Sequence, residues 1–154
     1  MKLLIKKPLK FKAQAMIEGP AAFLIAFLIF IFIIEFALYF KAIHSNQTFA
    51  DDISANIATY HDAEKLCSNP DDDILNLIEE RAQKYLDKNI KLSVLSQSPD
   101  LLILDSNKNL LHVNIICSQN EGYIVRSEYL FKGFFALRLG HQVSSISSVQ
   151  TPKF

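Results

Sequence analysis

Residues 14–40 read QAMIEGPAAFLIAFLIFIFIIEFALYF. From Pro20 to Phe40 the only acid or base is Glu35. Those 21 residues, wound as a helix at about 1.5 Å each, cover ~31 Å, the hydrocarbon thickness of a bilayer. A helix packed into a soluble core would carry a polar stripe, and this stretch carries none. It predicts a membrane-spanning helix, and the rest of the chain is read outward from it.

Upstream stand Lys2, Lys6, Lys7, Lys10 and Lys12, with no acid among them. This is a positive-inside signal: the amino terminus is expected in the cytoplasm and the carboxyl-terminal part on the exported side. Residues 1–40 hold five of the 16 basic residues and two of the 16 acids, a net charge of +3, which leaves 41–154 at −3. No basic cluster remains beyond the leader, so nucleic acid is not an expected partner. A cleaved secretory signal peptide is the competing reading. It requires a shorter apolar run followed by small residues, whereas Leu38-Tyr39-Phe40-Lys41 follows here.

Glu18 and Glu35 are the unexpected residues. A charged side chain at bilayer depth costs a few kcal/mol on insertion scales, so such residues are rare and usually functional. The plain reading leaves each hydrated near an interface, Glu18 beside the lysines and Glu35 within two turns of Lys41. The functional reading comes from the surrounding pattern. A lysine-rich leader, a small residue, four residues, a glutamate and a long apolar helix resemble the amino terminus of type IV pilin-like proteins. Ala15-Met16-Ile17-Glu18, Pro20, Ile34-Glu35-Phe36 and Tyr39 are similar, in order and spacing, to the TadE/TadF pseudopilins of the tight-adherence (Flp) pilus system. The likeness covers about thirty residues. Ala13 stands where such leaders usually carry Gly, and Gly19 follows the glutamate where an aromatic residue is usual.

The resemblance implies cleavage by a prepilin peptidase between Ala13 and Gln14, with Glu18 as residue five of the mature chain. It implies that Glu18 neutralises the new α-amino group of a neighbouring subunit, an attraction far stronger in an apolar bundle than in water. Pro20, Glu35 and Phe36 would complete the intramembrane motif. Pro20 lacks an N–H and Gly19 has low helix propensity, so the first turns are expected to be loosened or kinked. The implied partners are the prepilin peptidase, the inner-membrane assembly platform, the major pilin, a sister pseudopilin and the lipid bilayer.

Beyond the span, Phe49, Ile53, Ile57 and Tyr60 fall on one helical face, so the helix is expected to run on from 41 towards 66 on the exported side. That face either receives a small domain or docks a partner helix. Pro70 and the acids Asp71 to Asp73 announce a short amphipathic helix over 71–88, with Ile74, Leu77, Ile78, Ala82, Tyr85 and Leu86 on its stripe. The acid run lacks the spacing of a calcium loop. The period then becomes two. Strands are read at 91–95, 101–105, 111–117 and 123–131, with a fifth at 134–139 and a weak edge element at Val143, Ile146 and Val149 in a serine-rich tail. The fold class is α+β: a pilin-like long amino-terminal helix, then a short helix and a small antiparallel sheet in residues 67–154.

Both cysteines, Cys67 and Cys117, lie on the exported side. A disulfide is the natural reading in an oxidising compartment; two buried thiols are the alternative. Four scattered histidines without ligand spacing, and no nucleophile elbow or phosphate loop, give an enzyme no positive support. No cofactor or metal is expected. The function class is a non-catalytic structural component of pilus assembly at the inner membrane. The alternative is a membrane-tethered ligand-binding or sensor domain, which needs no glutamate in its anchor.

Overall fold

The chain builds one long helix and hangs a small α+β domain on its outer half. A computed structural model describes residues 10–59, 65–118, 122–133 and 141–149. Helix α1 runs Lys10–Thr59, fifty residues, and stays helical through Gly19 and Pro20. The expected loosening is therefore not a break: a proline removes a single rung, the one that would end on the Met16 carbonyl, and the neighbouring rungs carry the helix on. The sequence reading carries the helix to about Tyr60, in a continuation bounded at residue 66, and residues 60–64 lie outside the described residues. The described helix ends at Thr59, and Leu66 and Cys67 are buried in a turn closed by Asn69 N–H donating to the Lys65 carbonyl at 2.7 Å.

Helix α2, Asp72–Leu86, starts with two acids in its first turn and ends at Asp87 in the left-handed conformation, with Lys84 in the last turn. It buries Ile74, Ile78 and Ala82, the predicted stripe, and runs antiparallel to α1. Arg81 Nη1 sits 3.4 Å from Asp52 Oδ2, the Tyr85 ring meets Phe49 edge-on, and Ser45 Oγ donates to the Tyr85 carbonyl at 2.9 Å.

Five strands follow as an antiparallel meander in chain order: β1 Leu92–Ser98, β2 Leu101–Ser106, β3 Leu111–Ser118, β4 Gly122–Phe131 and β5 His141–Val149. Alternation places Leu102, Leu104, Leu111, Val113, Ile115 and Val125 on the inner face. They pack with Phe49, Ile53 and Ile57 of α1 and with the α2 stripe into one core. The α1 face read from sequence therefore receives the chain's own domain. The second sheet face has no helix over it among the described residues. A bulge at Leu95 shifts the register of β1.

The last strand is longer than the weak edge element read from sequence. The proposed strand at 134–139 lies outside the described residues. The serine-rich tail, read as a weak edge element, forms a full nine-residue edge strand, paired with β4 from Phe131↔His141 to Tyr123↔Val149. Its inward residues are Val143 and Ser145, while Ile146 is 54% exposed. Serine is tolerated because strand pairing is a backbone affair and the helix supplies the missing partner. Asn46 of α1, fully buried, donates through Nδ2 to the Ser127 carbonyl at 3.0 Å, the Val143 carbonyl at 3.3 Å and Ser145 Oγ at 3.1 Å. Its Oδ1 accepts from Ser127 Oγ at 2.6 Å. This satisfied network fixes where along α1 the β4–β5 pair sits. Asn46→Leu strands several buried polar groups and is expected to destabilise the domain by about 3 kcal/mol. Denaturant unfolding of the full chain in detergent, followed by tyrosine near-ultraviolet circular dichroism, checks this; an unchanged midpoint removes the role.

Candidate functional site

The lower half of α1 meets the length and composition needed to cross a membrane, and its most apolar stretch is covered by no other part of the described chain. Its large side chains, Phe23 to Phe36, point outward. Phe23 stacks on Phe27 and Phe32 on Phe36, each pair at 6.4 Å, and Phe36 meets Phe40 edge-on at 4.6 Å. Rings four residues apart share one side of a helix. Phe36 is thus a rung of an outward aromatic ladder on the apolar stretch.

Glu18 and Glu35 are seventeen residues apart, which is ~26 Å along the helix and roughly 100° around it. They do not form one site. Glu18, Gly19 and Pro20 are all exposed on the helix surface, and beyond its chain neighbours and the backbone of its own turn nothing described lies within 4 Å of where a Cβ on Gly19 would sit. Glu35 is half-buried, unlike Phe32, Ile33, Ile34 and Phe36 around it. Its helical face continues through Tyr39 to Asn46 and Ile53, the face that bears the domain. Glu35 therefore lies one turn below Tyr39, directly beneath the domain. Ala13 and Gln14 fall within the helical backbone of α1; their side chains and residues 1–9 lie outside the described residues.

Cys67 and Cys117 form a disulfide with their Cα atoms 6.4 Å apart. It ties the turn after α1 to the inner face of β3, and Cys67 is wholly buried. His112, on the same strand, faces the other way, so no Cys–His pair exists there. Among the described residues no three His, Cys, Asp or Glu side chains converge as a metal-binding group. A depression of about 440 Å³ at the far end of the domain is open to solvent and lined by Lys65, Leu66, Asn69, Pro70, Asp71, Asp72 and Ile74.

Two features escaped the sequence reading. Asn46 was legible in principle, because it lies three residues before Phe49 and seven before Ile53, a polar residue on the apolar face. The second is the end of the domain nearest the span. There the Tyr39 and Phe131 rings meet at 5.8 Å, bringing the last residue of β4 down to the outer edge of the apolar stretch. No local pattern announces a contact between residues ninety positions apart. Compared with known proteins, the chain matches no family model, no curated protein and no solved structure.

Proposed function

We propose that this chain is a TadE/TadF-like pseudopilin: a single-pass inner-membrane protein, amino terminus cytoplasmic and domain periplasmic, that helps assemble or initiate a Flp-type pilus without catalysis of its own. The observation that carries the reading is α1. One helix joins an uncovered apolar half, with Glu18 near its inner end, to a half whose buried face bears a disulfide-stapled domain. A pilus subunit needs this division of labour: a bare helical half that neighbouring subunits can pack against, and a rigid half that carries a domain outward. Its partners are the prepilin peptidase, the assembly platform, the major pilin, a sister pseudopilin and the bilayer. A tethered sensor or ligand-binding domain calls for an enclosed cleft and gives Glu18 nothing to do; the far-end depression is open.

The test is the amino-terminal sequence and intact mass of the protein taken from its own membranes. A chain beginning at Gln14 is expected. A chain beginning at Met1 rules out the processing step and, with it, Glu18 as the partner of a new α-amino group.

A further inference from the structure

The meander and the two antiparallel helices sort the exported domain's loops into two ends. The α2–β1 connection, the β2–β3 turn and the end of β4 lie at the end nearest the apolar span. The β1–β2 turn and the start of α2 lie at the far end. The near end is a stitched floor. Asn107 N–H donates to the Lys91 carbonyl at 3.0 Å, Leu130 N–H to the Leu110 carbonyl at 2.8 Å, and Ser106 Oγ accepts from the Leu110 and Leu111 N–H groups. Phe131 closes it onto Tyr39.

The charges are sorted in the same way. Lys41, Lys88, Lys91, Lys108 and Lys132 stand exposed around the floor, with Lys84 in the last turn of α2; the acids at that end are Asp87, Asp105, Glu128 in the same row of the sheet, and Glu35 on the helix just below. The far end carries Asp71, Asp72, Asp73 and Asp100 against Lys65. The exported part is net negative as a whole, so its cations are gathered where the polypeptide leaves the apolar layer.

We infer that this floor is a lipid-docking surface: the domain seats its lysine ring on the anionic headgroups of the bilayer that α1 crosses. Three observations converge on that occupant. The surface is continuous with the span through Tyr39, Phe40 and Lys41. Tyr39 is of the kind that settles at headgroup level, and the Phe40 and Phe131 rings lie against it. Its charge complements acidic phospholipid, and each surface lysine adds to that attraction over a distance limited by salt screening. Seating the floor holds the domain at one height and tilt above the membrane, so the domain is presented to other subunits in one orientation. The inference rests on the membrane-spanning reading of α1.

The full chain is reconstituted into lipid nanodiscs of phosphatidylcholine alone, or with about one third phosphatidylglycerol, and its lysines are acylated and read by mass spectrometry. Co-elution with the discs reports insertion independently. Slowing of about fivefold at Lys88, Lys91, Lys108 and Lys132 is expected in the anionic discs relative to the neutral ones, with Lys65 unchanged and the difference erased by high salt. Insertion into both discs with equal lysine rates overturns the docking surface alone. Protection that follows protein concentration rather than lipid charge overturns it in favour of a second copy. Failure to enter either disc overturns the spanning reading and this inference together.

Discussion

A chain carrying Glu18→Ala is expected to insert into the membrane as well as the parent and to leave pilus output near zero. The two outcomes separate because the glutamate acts oppositely in the two steps. Removing an ionisable group from the edge of an apolar helix eases insertion, by up to a few kcal/mol on insertion scales. On the proposed assembly role, loss of the acid would leave a neighbour's α-amino group buried without its partner. Breaking a buried ion pair from one side typically costs 3–5 kcal/mol, or roughly a hundredfold or more in subunit association. Glu18→Gln is expected to fail similarly, since it keeps the shape and loses the charge. Glu18→Asp, with the charge drawn back by one methylene, is expected to fall between. Carbonate extraction reads insertion, and sheared pili on an immunoblot read assembly. Full pilus output from Glu18→Ala would show that the acid is only a hydrated residue at the inner boundary.

Removing the disulfide is expected to produce the largest loss of stability. Cys67 and Cys117 are 50 residues apart, and cross-linking a loop of that length stabilises by about 4 kcal/mol in the chain-entropy model. Small domains hold only about 5–15 kcal/mol in all, so this is a large share. The domain has a modest core, and the bond anchors the turn that carries Leu66 into it. In the Cys67→Ala, Cys117→Ala double variant, which leaves no odd thiol to mispair, the domain's unfolding midpoint is expected to fall by roughly 20 °C. Reductant should shift the parent protein by a similar amount and leave the variant unmoved. Equal midpoints in the parent with and without reductant would show that the bond contributes nothing.

Much of the architecture was open to local reading. The apolar run, the α2 stripe and the alternation in β2 and β3 each fall within a window of a few turns or a few residues, where spacing alone reports which side faces the core. The tail was read as a weak edge element and is an edge strand, but its apolar residues did not reveal its facing: strand geometry alternates and puts Val143 and Ser145 inward. Serine on an inner face makes sense only once Asn46 is known to lie opposite. The candidate site divides in the same way. Glu18, Glu35 and Pro20 stood out by type and place in an apolar run, but their angular relation to the domain waited on the packing.

By itself the sequence determined a helix long and apolar enough to cross a membrane, a charge asymmetry about it, an amphipathic outer half and an α+β remainder holding both cysteines. These follow from composition and period, which need no knowledge of distant partners. Tertiary structure alone decided which residues of the edge strand face inward, where along α1 the sheet is held, that Glu35 lies beneath the domain, and that lysines from four separate segments share one end. Those are relations between residues forty to a hundred positions apart, created when burial of a common core brings the segments together.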